Sequence, residues 1–331
     1  MGKAFIIAEA GVNHNGSLDL ALLLCDAAKS INADAVKFQT FVTENLLAGA
    51  VSAADYQQSN TGISSQYDLL KELELSFDDF REIKEHCDTI GIQFLSTPDD
   101  SDSLAFLVEL GVSPLKVGSA EVNNIPYLRE IAATGSDIIL STGMATLEEV
   151  SIACATLQSG GAKSLTVLHC TTNYPCAYEN VNLKAMLTLK QEFGLPVGFS
   201  DHTKGYLSSV AAVALGAEVI EKHFTLDTEM EGPDHWASLN PTDFGEMIAA
   251  IRDTETLLGD GSKGPRASEL EVMKLVRRRI VASKSIRQGE VFNPENLTTK
   301  RSNAGVDAGL WDSVIGQSAI RDFSTDEGIE Q

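Results

Sequence analysis

Eight short apolar runs recur along most of the chain: AFIIA, AVKFQ, IQFLST, LKVGS, DIILST, LTVLHC, VGFS and EVIEKHF. Each is apolar enough for a strand buried on both faces. Polar loop residues follow each run, and then comes a segment whose apolar positions fall at helical spacing. After the first run, Ser17 stands as an N-cap before LDLALLLCDAAKSI. After the fifth, Thr146 with Glu149 has the spacing of a capping box, and Gly160 with Gly161 ends that helix. Eight such units in alternation predict an α/β fold, a closed (β/α)8 TIM barrel. An open doubly wound sheet is the alternative that periodicity alone leaves standing.

The runs end one after another in residues capable of polar chemistry: Glu9, Lys37 with Gln39, Ser96 with Thr97, Lys116 with Ser119, Ser141 with Thr142, His169 with Asn173, Ser200 to His202, and His223. A parallel barrel gathers all its C-terminal strand ends on one face, where barrel enzymes build their sites. Residues far apart in sequence are therefore expected in one pocket. One connection is abnormal: residues 41–65 form a long insertion on that same face, expected to act as a lid or partner contact. The barrel is expected to occupy residues 1–260. Residues 261–276, beginning GSKGPRASE, have linker composition. From Arg277 to the end, residues 277–331, short alternating segments with turn signals at Gln288–Gly289 and Asn293–Pro294 predict a small β-rich domain. Its core is marginal alone, so it is expected to lean on a barrel, its own or a partner's.

Composition changes the picture in three respects. The 331 residues, 43% of them hydrophobic, suffice for one large core plus a small appendage. A net charge of -22 argues against nucleic acid or an anionic membrane as partner. No apolar stretch reaches the roughly 18 residues of a membrane span, and no basic region precedes an apolar signal segment, so a cytoplasmic location is expected. The five cysteines, Cys25, Cys87, Cys154, Cys170 and Cys176, lack paired zinc-type spacing and read as reduced thiols.

His202 in GFSDHT and His223 in EKHF end the seventh and eighth runs, neighbours in a closed barrel. Two imidazoles so placed can share a divalent ion and leave positions open to substrate and water. Hydrogen bonding to nearby polar groups is the competing reading. Metal hydrolases on this fold usually carry His-x-His on the first strand; here that strand ends in Glu9, with His14 out in the loop. Lys37 and Lys116 lie inside apolar runs, where a charge is costly unless it meets an anion. With Ser119, Ser141, Asn173 and Ser200 they suit a small, multiply charged anion such as a phosphorylated carboxylic acid. Pairing with a barrel carboxylate is the alternative. Glu9 is equally misplaced in a core strand, and either moves protons or partners Lys37. His169 is expected to point into the barrel as a packed residue, His86 to lie on a helix surface, and Asp99 and Asp100 to start a helix. For Asp234 and His235 in GPDHW, substrate contact and turn formation stand equal.

As a set, IIAEAGVNHNGS, DAVKFQT, FLSTP, KVGSAEVNN, ILSTGM, LHCTTNYP, GFSDHT, EKHF and GPDH, in that order, resemble the sialic acid synthase family. These bacterial nonulosonate synthases condense phosphoenolpyruvate with an N-acylated hexose to give a nine-carbon keto acid. KSIRQGEVFNPENLTTKR resembles the family's small C-terminal antifreeze-like (SAF) domain, so the likeness covers nearly the whole chain. The resemblance implies a domain-swapped homodimer in which the small domain covers the partner's site. It implies that His202 and His223 hold a divalent ion, typically manganese with magnesium or cobalt as substitutes, and that Glu9 is the acid/base residue. Lys37 and Thr97 would hold the phosphoenolpyruvate carboxylate, and Lys116, Ser119, Ser141, Asn173 and Ser200 its phosphate. Gln39, Glu121, Tyr174 and Asp234 match positions facing the sugar, and Arg301 matches the arginine that reaches across the dimer to the N-acyl group. Two departures stand out: Asp99 where the family commonly has an aromatic residue, and Ser302 where it has proline. VNHNGS and KFQTF favour the neuraminate or legionaminate branch over pseudaminate synthases. The rival readings are a synthase for a phosphorylated sugar, which would need a second basic cluster, and a non-catalytic sugar-binding protein.

Overall fold

The structure is a computed structural model that describes residues 2–48, 51–53 and 55–330. Two compact units account for the chain, residues 1–260 and 261–331. In the first, the eight apolar runs form strands β1 Phe5–Gly11, β2 Ala35–Thr40, β3 Gln93–Pro98, β4 Leu115–Val117, β5 Asp137–Ser141, β6 Ser164–Cys170, β7 Val197–Asp201 and β8 Val219–His223. The eight-stranded sheet runs β3-β2-β1-β8-β7-β6-β5-β4, with every ladder parallel. Its two edge strands, β3 and β4, pack side by side without a ladder and bring the ring round on itself. The closed-barrel expectation holds, and the open sheet does not.

Successive side chains of a strand point to opposite faces, and this separates the barrel's interior from its wall. Ile6, Ala8, Val36, Phe38, Phe94, Leu140, Val167, Phe199 and Ile220 face the helices and form the large outer core. The alternate positions Ile7, Ala35, Leu95, Ile139, Leu168 and Val219 form a separate apolar cluster inside. Two residues further along the same six strands stand Glu9, Lys37, Thr97, Ser141, Cys170 and Glu221. The barrel thus carries a dry floor with a polar layer immediately above it, at the C-terminal ends.

Local signals set the helices that brace this wall. The Ser17 hydroxyl accepts from Leu20 N at 3.4 Å and opens the helix Leu18–Ser30. Thr146 and Glu149 form a reciprocal capping box on Leu147–Gly160, and Gly161 ends it in the left-handed conformation at φ 114°. The insertion holds two short helices, Thr43–Leu46 and Asp55–Thr61, and runs into a third, Gln66–Leu73; its residues 49, 50 and 54 lie outside the described residues. Leu69 and Leu73 are buried with Val12, Phe41 and Ala53 in a small core of their own. Each buried leucine contributes about 1.5–3 kcal/mol.

In the second unit, the stretch with linker composition contains a seven-residue helix, Leu270–Val276. Strands β9 Arg278–Ala282 and β10 Leu297–Arg301 pair antiparallel, with Leu297 opposite Ala282 and Arg301 opposite Arg278. Ile280, Ile286, Phe292, Leu297, Val314, Phe323 and Ile329 make its core. Among the described residues no helix is long and apolar enough to cross a membrane.

Candidate active site

The polar layer opens into a cavity of about 220 Å³. Strand register explains why its charges meet: Glu9 on β1 lies opposite Lys37 on β2 and His223 on β8. Lys37 Nζ sits 2.7 Å from Glu9 Oε2 and 3.7 Å from Glu221 Oε2, and donates to Thr97 Oγ1 at 3.0 Å. Lys116 Nζ donates to Ser141 Oγ at 2.8 Å and lies 3.5 Å from Glu221 Oε1. Ser200 Oγ donates to the same Glu221 oxygen at 2.9 Å. Two lysines and two glutamates, all buried, therefore balance one another.

Their protonation differs with environment. Burial pushes Glu9 up to about 7, against the opposing pull of Lys37. Burial acts the same way on Glu221, but Lys116 and Lys37, with the Ser200 hydrogen bond, outweigh it and bring the carboxyl down to about 2. Lys37 is held above its ordinary value because Glu221 and Glu9 overcome the effect of burial, whereas burial prevails at Lys116 and lowers it. Glu221 is thus the fixed anion of the site. Glu9 is the carboxyl that can change state near neutral pH.

The two histidines stand beside this network with ring centroids 5.5 Å apart, and the Tyr174 ring lies 4.1 Å from His202 and 5.5 Å from His223. His202 Nδ1 meets the Thr171 carbonyl at 2.8 Å. A carbonyl only accepts, so Nδ1 carries the proton and Nε2 presents its lone pair. Burial disfavours charge on His202, but the Cys170 thiol and the Thr171 carbonyl outweigh it and raise its pKa; His223 is held well below its ordinary value, chiefly by burial, and is neutral. His223 Nδ1 is buried without a hydrogen-bond partner, 4.0 Å from Asp234 Oδ2. An orphaned imidazole nitrogen beside a second imidazole of set tautomer fits a divalent ion with positions left for substrate and water. Among the described residues, no group of three or more His, Cys, Asp or Glu side chains is arranged to hold an ion by itself.

Glu9, Lys37, Gln39, Thr97, Lys116, Ser119, Ser141, Tyr174, Ser200, His202 and His223 all line the cavity. Asp234 stands behind His223, with its carboxyl raised to about 6 by burial. Asn173 is exposed on the loop after β6 and does not line the cavity. Glu121 lines an adjoining cavity instead. Arg301 ends β10 in the second unit, exposed. His169 does not point inward: it alternates with Leu168 and Cys170, stacks on Phe199 and bonds the Val181 carbonyl at 2.6 Å. His235 is structural, bonded to Thr225 Oγ1 at 2.6 Å and Asn15 Oδ1 at 3.1 Å. Asp100 caps the helix Ser101–Glu109 while Asp99 does not. His86 lies on the helix Phe77–Ile90, paired with Asp26 at 2.7 Å. Sequence reading missed Glu221. The signal was present, because Glu221 stands two residues before His223 and shares its face of β8.

Comparison with known proteins agrees with this geometry. The model of the NeuB family matches residues 24–263, and that of the SAF domain matches residues 277–331. The chain belongs to the NeuB family. This NeuB-family chain is 47% identical to an N,N'-diacetyllegionaminic acid synthase of Legionella pneumophila, over 97% of its own length and 91% of the relative's. It is 46% identical to a Campylobacter jejuni protein of the same name over the full length of both. A solved N-acetylneuraminic acid (sialic acid) synthetase from Leptospira borgpetersenii is 35% identical and superposes with a TM-score of 0.74, over 82% of this chain and 91% of that one.

Proposed function

We propose that this NeuB-family chain is a nonulosonate synthase. It condenses phosphoenolpyruvate with 2,4-diacetamido-2,4,6-trideoxymannose to give N,N'-diacetyllegionaminic acid and phosphate. The observation that carries the reading is the pair of buried lysines, Lys37 and Lys116, set among hydroxyls in the polar layer of the barrel. The relatives at 46–47% identity support the choice of sugar.

Lys37 with Thr97 holds the phosphoenolpyruvate carboxylate, and Lys116 with Ser119, Ser141 and Ser200 holds the phosphate. Carbon 3 of the enol attacks the aldehyde carbon of the open-chain sugar, water adds at carbon 2, and phosphate leaves with cleavage of its bond to carbon. Glu9 faces both substrates, and its carboxyl near 7 can give a proton to the new alkoxide and take one from water. His202 and His223 would hold a divalent ion, manganese above all with magnesium or cobalt as substitutes, which would supply Lewis acidity toward the sugar carbonyl. Gln39, Glu121, Tyr174 and Asp234 orient the sugar. Arg301 of a second copy completes its N-acyl contact in a homodimer of the cytoplasm. Holding both substrates in one pocket removes up to roughly 7–11 kcal/mol of entropic barrier.

The test is phosphate release from phosphoenolpyruvate with manganese and either 2,4-diacetamido-2,4,6-trideoxymannose or N-acetylmannosamine, beside a chelated control. Release with the diacetamido sugar, lost on chelation, is expected. Release with N-acetylmannosamine alone would move the assignment to the neuraminate branch, and silence with both would overturn it.

A further inference from the structure

The catalytic cavity, at about 220 Å³, is smaller than the roughly 300–1,000 Å³ of cavities that enclose drug-sized ligands. Two substrates together must reach beyond it. A second cavity of about 580 Å³ adjoins it within the barrel unit, and Asp99 is the residue that lines both. Around the second cavity stand Asp102, Glu121 and Glu130, with no lysine or arginine among its lining residues.

The backbone holds Asp99 firmly at this junction. Its own N–H donates to the Thr40 carbonyl at 3.0 Å. The Tyr127 hydroxyl reaches the carbonyls on either side of it, Pro98 at 2.9 Å and Asp100 at 3.0 Å. Asp100, the next residue, is committed to capping a helix through Asp102 N and Ser103 N. The Asp99 carboxyl, by contrast, makes no hydrogen bond among the described residues and is only partly exposed. A carboxylate so fixed, felt by Lys37 through charge but bonded to nothing, is a preorganised acceptor for whatever crosses from one cavity to the other.

We infer that Asp99 is a specificity-determining residue, accepting a hydrogen bond from the sugar where it passes into the acidic cavity. The inference rests on the proposed synthase reading and names the class of sugar it takes. The end of the sugar that passes Asp99 must carry a donor, an amide N–H or a hydroxyl, and must not carry a phosphate or carboxylate. An anionic group on the acidic-cavity side would meet Asp99 and Glu121, and the nearest cation, Lys37 in the catalytic cavity, is already shared with Glu9 and Glu221.

The test uses the full-length protein with manganese at pH 8, comparing wild type with the isosteric Asp99→Asn and with Asp99→Ala. KM for the diacetamido sugar is measured separately from KM for phosphoenolpyruvate, and sugar binding is followed by calorimetry. N-acetylmannosamine 6-phosphate is the anionic probe. The sugar KM should rise roughly tenfold or more in Asp99→Ala, the loss of one hydrogen bond to a charged acceptor, with KM for phosphoenolpyruvate nearly unchanged. Asp99→Asn should admit the sugar phosphate as a competitor that wild type excludes. Equal shifts in both KM values would mean that Asp99 acts only through Lys37 or the fold, and would overturn the assignment. If wild type turns over a sugar and both variants keep its KM, the assignment of Asp99 alone falls. If wild type neither binds nor turns over either sugar, the synthase reading falls with it.

Discussion

Glu221 offers the sharpest test of the charge network. Glutamine is close to a permanently protonated glutamate in shape, so Glu221→Gln removes the charge and leaves the packing. The stability at stake follows from the carboxyl's displacement from 4.5 to about 2. At about 1.4 kcal/mol per pKa unit this is roughly 3 kcal/mol. The sign is clear: a lowered carboxyl contributes stability that is present above its unfolded value and lost as pH falls through the folded one. At neutral pH the substitution should therefore express its full effect, with Lys116 and Lys37 left to share Glu9. For a barrel of this size that corresponds to a fall in Tm of roughly 6–12 °C. Phosphoenolpyruvate carries the negative charge that the variant lacks, so its binding should restore most of the deficit. Thermal unfolding of wild type and variant, with and without saturating phosphoenolpyruvate, reads both effects. The reasoning is refuted if the variant melts with wild type, or if its deficit stays the same when phosphoenolpyruvate is bound.

Three further outcomes are expected. Glu9→Gln should abolish phosphate release while phosphoenolpyruvate still binds, measured by calorimetry beside a turnover assay; near-normal turnover would remove Glu9 from proton transfer. Burial holds His14 and His235 down at about 4, so the neutral rings stabilise the fold above about 6.5 and lose that contribution as pH falls toward 4. Burial raises Glu9, Asp99 and Asp234 to about 7, 7 and 6, and these carboxyls act in the opposite direction, favouring the fold as pH falls. The two effects oppose each other between pH 5 and 7, so the check is made ring by ring: NMR should show His14 and His235 still neutral at pH 5, and a midpoint near 6.5 for either ring would contradict their burial. Arg301→Ala should raise KM for the sugar more than KM for phosphoenolpyruvate, and an equal rise in both would argue against a contact with the N-acyl group.

The barrel was legible because its signals are local. Each apolar run carries its own period, and caps such as Ser17 and the pair Thr146 and Glu149 act within four residues. Lys37 and Lys116 could be singled out because a charge inside an apolar run has few tolerable explanations. Other features were not legible for equally physical reasons. The short helices of the insertion carry no period of their own, and the region is stabilised by Leu69 and Leu73 just after it packing on Val12 and Phe41, contacts that span the sequence. Helix Leu270–Val276 hides in a stretch that opens with linker composition.

His169 and Glu221 mark where sequence reading ends. Both lie in strands recognised from sequence, and both are polar residues near a strand end. Their roles differ because β6 turns His169 outward to Phe199 and Val181, while β8 turns Glu221 inward between two lysines. Sequence alone determined the order of strands and helices, the gathering of polar strand ends on one face, and the candidates for chemistry there, because periodicity and capping operate along the chain. Tertiary structure alone decided which carboxylate meets which lysine and that Glu9 rather than Glu221 sits near neutral pKa. It also set Asp99 between two cavities. Those outcomes depend on distances between strands that are remote in sequence, and electrostatic energy in a low-dielectric interior is set by those distances.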